Sequence, residues 1–325
     1  MSVRASTGDN VTPGIDGIAH IPTDRTKVII RRFGPNGEQF LHELPDRLAR
    51  AVERWQLELG RPYPIGIGGY LVQAQRPDGT AAVLKLSPTG AAQDQANQLE
   101  VLMLRRWAGQ GAVLLFDADS ASGALLMERC VPGTTLDALP DEEMVRIGCR
   151  VARMLHTEPT PEDLNLIPVA RDDVARRTRR FDEVMVALGE ALSPDAWRVV
   201  QALHRELADD GVHLVVCHGD LNPGNVLSAE RVPWLAIDPL PQVADAAYDA
   251  ASLVWARRPW LLEQSDPSAV LSHRIRLAAQ ELLVDRQRVR AWTLVRLVGI
   301  LADRHAWGGF EESSLIRVAE LMVDL

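Results

Sequence analysis

The stretch that decides the fold is HGDLNPGNVL, residues 218–227, which is followed by WLAIDP at residues 234–239. An apolar run precedes the first segment and predicts a buried strand that ends in a loop carrying Asp220. Proline and glycine within this loop favour an irregular backbone, and Asn225 begins a return strand. Asp238 ends the apolar run of the second segment. We therefore expect these three polar side chains at strand ends on one edge.

Two carboxylates and one amide in this arrangement suit the transfer of a phosphoryl group. One carboxylate can accept the proton of an attacking hydroxyl, while oxygen ligands hold a magnesium ion against a triphosphate. Magnesium takes few protein ligands and prefers carboxylate and amide oxygens. The pattern therefore indicates a kinase site, and the alternative is a buried polar turn in an unrelated fold.

The segment HGDLNPGN resembles the catalytic loop of the aminoglycoside phosphotransferase family, a branch of the protein-kinase-like superfamily. The resemblance implies ATP and magnesium as cofactors, Asp220 as the catalytic base, and Asn225 and Asp238 as magnesium ligands. His218 is expected to brace the loop rather than to carry protons. The implied fold class is α+β, a bilobal protein-kinase-like fold with a small β-rich N-lobe and a mainly helical C-lobe.

Lys85 in the segment AAVLKL resembles the kinase strand lysine that pairs with the α- and β-phosphates of ATP. Taken alone, a lysine on a strand is usually a solvated charge at the sheet edge. Its place after a glycine-bearing hairpin and before a helix favours the functional interpretation. Glu100 is the expected ion-pair partner, with Gln98 or an unrelated exposed Glu100 as the alternatives.

Further nucleotide-binding residues are implied by the same resemblance. The segment PIGIGGYL occupies the place of the nucleotide-covering loop, although it lacks the full G-x-G-x-x-G pattern. The segment LLMERC resembles the hinge between lobes, where the backbone of Glu128 and Cys130 would bind adenine and Met127 would line its pocket. Simple core packing is the alternative for these side chains. The expected loop glycines are Gly66, Gly68 and Gly69.

Hydrophobic periodicity divides the chain into three parts. Residues 1–25 are polar and show no period, which predicts a loose N-terminal arm. Residues 26–130 predict a sheet-rich N-lobe, with strands on either side of a helix at about 93–107, and the resemblance implies that this lobe binds the nucleotide. Residues 131–325 predict a mostly helical C-lobe, and the resemblance implies that it holds the catalytic loop and the substrate pocket.

Composition excludes several classes of protein. The chain has 325 residues with 44 acids against 35 bases, and this net charge of −9 argues against a nucleic-acid partner. Its three cysteines are too sparse for a disulfide framework or a zinc site. No stretch reaches the about 20 apolar residues of a membrane span, and the first residues lack the apolar run of a signal peptide. We expect a cytoplasmic protein that does not associate with a membrane and has no obligate protein partner.

Four longer segments resemble the subgroup of streptomycin 6-kinases and hydroxyurea phosphotransferases: LPDRLARAVERWQL, LRRWAGQGAVLLFDAD, PWLAIDPLPQVADAAYD and RVRAWTLVRLV. The resemblance implies a small-molecule hydroxyl substrate, most of all a streptomycin-like aminoglycoside. The alternatives are hydroxyurea, an amino sugar or other metabolite, and a nucleotide-binding scaffold without activity. A protein kinase is disfavoured because Asp238 is followed by Pro-Leu rather than Phe-Gly.

The sequence leaves the roles of two further groups of residues open. In the segment VADAAYD, Asp245 and Asp249 match family positions that brace the catalytic loop, although this chain has Ala244-Asp245-Ala246 where the family more often has G-D-P. Acids and tryptophans of the C-lobe are candidates for the acceptor pocket, and surface charge or core packing is the alternative for each. These candidates are Asp182, Glu183, Glu263, Asp303, Trp255, Trp260, Trp292 and Trp307.

Overall fold

The chain is described by a computed structural model that covers residue 21 and residues 23–63, 69–172, 192–207, 212–306 and 312–325. Packing of the backbone divides it into two units. The first comprises the described residues up to Val101 together with Leu114–Arg129, and the second comprises Leu102–Val113 together with the described residues of Cys130–Leu325.

The first unit is built on a five-stranded antiparallel sheet with the strand order β1-β2-β3-β5-β4. Alternate residues of β2 are buried, which is the period of a strand with one face on a core. The predicted hairpin is confirmed, and Gly79 takes a positive φ in its turn. The strands are β1 (Glu58–Pro62), β2 (Tyr70–Gln75), β3 (Ala81–Leu86), β4 (Leu115–Asp119) and β5 (Ala124–Glu128).

Among the described residues, three helices accompany this sheet: α1 (Thr23–Phe33), α2 (Pro35–Trp55) and α3 (Ala91–Trp107). Helix α2 buries one face, including Phe40, Leu44 and Leu48, in the same core as the sheet. Each such side chain contributes about 2 kcal/mol by leaving water. Helix α1 begins at Thr23, inside the segment that the sequence predicted to be a loose arm.

The second unit contains a three-stranded antiparallel sheet, β6-β8-β9, and a two-stranded antiparallel pair, β7 with β10. Strand β6 was not predicted, because its Pro132-Gly133 pair indicates a chain breaker. Proline is tolerated there since β6 is an edge strand and Pro132 is its first residue. The strands are β6 (Pro132–Thr135), β7 (Val215–Cys217), β8 (Val226–Ala229), β9 (Trp234–Ala236) and β10 (Gln242–Ala244).

Helices make up most of the second unit within the ranges that the structure describes. They are α4 (Asp141–Leu155), α5 (Pro161–Leu166), α6 (Pro194–Leu207), α7 (Ala250–Val254), α8 (Arg258–Leu262), α9 (Pro267–Leu282), α10 (Arg286–Ala306) and α11 (Glu312–Val323). Ser193 precedes α6, and its Oγ accepts the N–H of Ala196 at 3.2 Å. All three cysteines are buried and unbridged. In the described part of the chain, no helix combines the length and the apolar composition needed to cross a membrane.

The segment Leu102–Val113 belongs to the second unit, although it lies in the chain between two parts of the first. Helix α3 therefore begins in one unit and ends in the other. Within the second unit, Trp107 Nε1 donates to the carbonyl of Leu155 at 2.9 Å, and Arg106 pairs with the buried carboxylate of Asp163. These contacts fix the last turn of α3 against the helical unit.

Several sequence expectations lie outside the described residues. They concern residues 1–20 and 22 of the expected arm, the loop glycines Gly66 and Gly68, the pocket candidates Asp182, Glu183 and Trp307, and the side chain of Asp303.

Candidate active site

The loop that follows β7 requires glycine at position 219. Gly219 has a φ of +87°, a conformation that residues with a side chain rarely adopt. A Cβ at this position would also overlap the carbonyl oxygen of Leu240. The chain can therefore turn sharply between the buried strand and Asp220.

Asp220 and Asn225 contact each other within this loop. Asn225 Nδ2 donates to the carbonyl oxygen of Asp220 at 2.8 Å and lies 3.3 Å from Asp220 Oδ2. Asn222 donates its N–H to the same carbonyl at 2.9 Å. Because the amide nitrogen of Asn225 makes these bonds, its Oδ1 is the atom available to a metal ion.

Asp238 follows β9 in a second loop that runs beside the first. It is exposed to solvent and has a φ of +57°, which Asp and Asn tolerate better than most residues. Three hydrogen bonds join the two loops: Ile237 N–H to Asn225 C=O at 2.9 Å, Leu240 N–H to His218 C=O at 2.9 Å, and His218 Nε2 to Ile237 C=O at 3.0 Å. The expected base and metal ligands are therefore carried by one joined pair of loops.

The imidazole of His218 is buried between these loops. Its Nδ1 accepts the N–H of Asp220 at 3.3 Å, so the proton of a neutral ring lies on Nε2, which donates to Ile237. Burial lowers the pKa of His218, which favours that neutral form. The ring stacks on Trp107, with 5.9 Å between centroids and 2° between planes. These are the contacts of a side chain that braces the loop.

The carboxylate of Asp249 braces the same loop by binding backbone N–H groups of the loop. Its two carboxylate oxygens accept the N–H groups of His218 and Gly219, each at 2.9 Å, and His156 Nε2 lies 3.0 Å from Oδ2. Burial alone would raise the pKa of Asp249, but the hydrogen bonds from His156 and from the loop amide hold it below its usual value. His156 was missed because a lone histidine at a helix end has no recognisable sequence pattern.

Asp245 has a different set of partners. Its Oδ1 accepts the N–H of Ala247 at 2.8 Å, and its Oδ2 accepts Arg288 Nε at 2.9 Å and Trp292 Nε1 at 2.7 Å. Asp245 thus anchors helix α10 to the segment after β10. Trp292 is buried in this contact, so its interpretation as a pocket residue is wrong and core packing is correct.

The electrostatic environment of Asp220 suits a proton acceptor. Burial raises the pKa of the Asp220 carboxyl above its usual value, and the nearby Arg296 guanidinium and His218 offset part of that rise. A carboxylate with a raised pKa binds a proton more readily than an ordinary surface aspartate. As a whole residue, Asp220 is half-buried.

In the first unit, Lys85 pairs with Glu100. Lys85 Nζ lies 2.8 Å from both carboxylate oxygens of Glu100, and the two residues are only 7% and 4% exposed. Strand β3 supplies the lysine and helix α3 supplies the glutamate. The interpretation of Lys85 as a solvated edge charge is therefore wrong.

The remaining expected nucleotide-binding residues that the structure describes lie just before strand β2, in strand β5 and shortly after β5. Gly69 is buried, and a Cβ there would overlap the carbonyl oxygen of Leu86. Met127 is a buried residue of β5. The Glu128 side chain accepts the N–H of Leu114 at 3.0 Å. Cys130 is buried and belongs to the second unit.

Comparison with known proteins supports a kinase. Residues 54–305 match the family described as aminoglycoside/hydroxyurea antibiotic resistance kinase. Hydroxyurea phosphotransferase of Kitasatospora aureofaciens is 30% identical over 299 residues, which cover 87% of this chain and 80% of that protein. Streptomycin 6-kinase of Streptomyces griseus is 31% identical over 289 residues, which cover 86% of this chain and 89% of that protein.

Solved structures establish the fold. A thermostable mutant of aminoglycoside phosphotransferase APH(4)-Ia, in a ternary complex with AMP-PNP and hygromycin B, matches with a TM-score of 0.60 at 16% identity, covering 85% of this chain and 97% of that chain. Macrolide 2'-phosphotransferase MphH from Brachybacterium faecium matches with a TM-score of 0.57 at 18% identity, covering 86% and 97%. The predicted protein-kinase-like fold, with a small sheet lobe and a helical lobe, is confirmed. The chain is a phosphotransferase that belongs to the aminoglycoside/hydroxyurea antibiotic resistance kinase family.

Proposed function

We propose that this protein transfers the γ-phosphoryl group of ATP, bound with magnesium, to a hydroxyl group of a small molecule. The observation that carries the proposal is the joined pair of loops that holds Asp220, Asn225 and Asp238 together. The buried ion pair of Lys85 and Glu100 supports it, since a lysine held in place can position phosphate oxygens.

Asp220 acts on the acceptor in this proposal. Its carboxylate accepts the hydroxyl proton as the acceptor oxygen attacks, and the hydrogen bonds of the loop keep the carboxylate in place. Because transfer of a phosphoryl group depends mainly on alignment of the reacting groups, a loop that is held rigidly contributes to catalysis.

Asn225 Oδ1 and the Asp238 carboxylate would hold the magnesium ion. An amide oxygen and an exposed carboxylate are hard oxygen donors of the kind that magnesium prefers, and both are present on the joined loops. Held by these residues, the ion would neutralise charge that develops during transfer. The donor set therefore fits the metal.

Replacement of Lys85 tests the nucleotide site. Because Lys85→Met alone would remove the ion-pair partner of the buried Glu100 carboxylate, at a cost of about 3–5 kcal/mol, the informative variant is Lys85→Met with Glu100→Leu. We expect this double variant to fold and to lose about 10²-fold in kcat/KM for ATP, since its phosphates are no longer positioned. Steady-state kinetics at varied ATP, with melting temperatures, make the comparison. Wild-type kinetics in the folded double variant would exclude a role of Lys85 with nucleotide.

We propose a streptomycin-like aminoglycoside as the acceptor. The similarity to streptomycin 6-kinase over most of both chains supports this substrate, and the net charge of −9 favours a cationic compound. The comparable similarity to a hydroxyurea phosphotransferase makes hydroxyurea the second candidate. A hydroxyurea kinase needs only a small acceptor pocket, whereas an aminocyclitol needs a wide one.

The deciding experiment offers each compound to the purified protein with ATP and magnesium. We expect ADP release with streptomycin and a new phosphomonoester signal in the ³¹P spectrum of the drug. Product formation with hydroxyurea alone would transfer the assignment to the second candidate. Product with only an amino sugar would remove the resistance role, and ATP binding without product from any acceptor would indicate a scaffold.

A further inference from the structure

Arg296 of helix α10 contacts the backbone of the catalytic loop. Its Nη2 donates to the carbonyl oxygen of Gly219 at 2.8 Å, and its Nη1 donates to the carbonyl oxygen of Tyr248 at 2.9 Å. The guanidinium also lies 4.1 Å from the centre of the Tyr248 ring and 5.8 Å from that of Trp255. The side chain is half-buried. Two hydrogen bonds and two aromatic contacts thus hold it in one orientation.

The carbonyl that Arg296 binds belongs to the peptide group immediately before Asp220. Gly219 is held from both sides, because Asp249 accepts its N–H at 2.9 Å and Arg296 donates to its C=O. The second carbonyl bound by Arg296 is that of Tyr248, the neighbour of Asp249. One guanidinium therefore links the catalytic loop to the segment that braces it.

The hydrogen bonds of Arg296 go to this backbone rather than to an acid. Within the described ranges no carboxylate forms an ion pair with Arg296, and its hydrogen bonds go to main-chain oxygens. Such bonds to a charged donor are stronger than those between neutral groups. The planar fork of arginine can span two carbonyl groups at once, which a lysine ammonium on a flexible stem does less well.

We propose that Arg296 is a positioning residue of the catalytic loop, which fixes the Gly219–Asp220 peptide so that the Asp220 carboxylate is aligned for the acceptor. This inference rests on the proposed function, because it assigns to Arg296 a role through the proposed base. It predicts that loss of the fork slows the transfer step while the ATP site is unaffected.

Arg290 offers a matched control on the same helix. Like Arg296, it is half-buried and donates to two carbonyl oxygens, those of Met322 at 3.2 Å and Val323 at 2.7 Å. Both carbonyl groups belong to helix α11 and are not part of the catalytic loop. Arg296→Lys and Arg290→Lys both keep the positive charge and both lose the fork. A difference between them is therefore due to which backbone the fork holds.

The test measures kcat, KM for ATP, melting temperature and hydrogen–deuterium exchange of the peptide 217–223. We expect Arg296→Lys to lower kcat about 10- to 100-fold with KM for ATP unchanged, and to speed exchange in 217–223. Arg290→Lys should leave kcat and this exchange at wild-type values. Absence of turnover in the wild-type protein would contradict the proposed function, and exchange would still decide the role of Arg296.

Two results would overturn the inference. One is an Arg296→Lys variant whose hydrogen–deuterium exchange in 217–223, and whose kcat where turnover exists, equal those of the wild-type protein. That result would show that the loop does not need the arginine fork. The other is a parallel fall of kcat, ATP affinity and melting temperature, which would show that Arg296 serves the stability of the whole unit.

Discussion

Asp220→Asn is expected to lower kcat by about 10²- to 10⁴-fold, the usual cost of removing a general base. Asparagine has the shape of aspartate but cannot accept a proton from the acceptor hydroxyl. The main-chain bonds of residue 220, to His218 Nδ1 and from Asn225 Nδ2, do not depend on the side chain and should persist. The loss should therefore appear in turnover and not in folding. The value of kcat is obtained by quenching the reaction at timed intervals and measuring the product formed at saturating ATP and acceptor.

Glu230→Gln is the control for this change. Glu230 is an exposed acid in the turn after β8, so its neutralisation alters the charge of the protein by the same amount without touching the loop. We expect the Glu230→Gln variant to have the kcat of the wild-type protein. We expect the Asp220→Asn variant to bind ADP with unchanged affinity, as measured by calorimetry. Near wild-type turnover in Asp220→Asn on the true acceptor would contradict the assignment of the base.

Asp238→Asn is expected to reduce kcat by about 10³-fold or more, because a bound metal supplies several kcal/mol of charge stabilisation in the transition state. Asparagine tolerates the left-handed backbone of this position, where φ is +57°, so the loop should keep its shape. The variant has one carboxylate fewer with which to hold the ion. Magnesium should therefore strengthen ADP binding to the wild-type protein far more than to the variant.

A second measurement examines the same metal without a mutation. We expect excess chelator to abolish turnover of the wild-type protein, and added magnesium to restore it. Turnover that persists in excess chelator would show that magnesium is not required.

The sequence predicted the parts of the fold in which the pattern is local. The β2–β3 hairpin, helix α3 and the strands on either side of residues 218–225 each have a clear period or a turn signal within about ten residues. Strand β1 was missed because Glu58–Pro62 has little apolar alternation, and it is a strand because it pairs with β2. Tertiary pairing outweighs local propensity in such a short polar segment.

The site was predictable only for groups within recognisable motifs. Asp220, Asn225 and Asp238 lie within two short segments, whereas Arg296 is 77 residues from the carbonyl that it binds. Whether a helical arginine or tryptophan faces solvent, core or loop depends on how the helices pack. Trp260 is 40% exposed and Trp292 is buried against Asp245, although both looked alike as pocket candidates.

The assignment of residues 102–113 to the second unit determines how this enzyme can be dissected. A fragment that starts at Cys130 would lack Trp107, whose ring covers His218, and Val113, whose N–H binds the carbonyl of Ala236 at 3.1 Å. One cleavage point therefore cannot release an intact catalytic half. Split-protein reporters or lobe swaps between relatives would have to transplant 102–113 together with the helical part, for example by circular permutation.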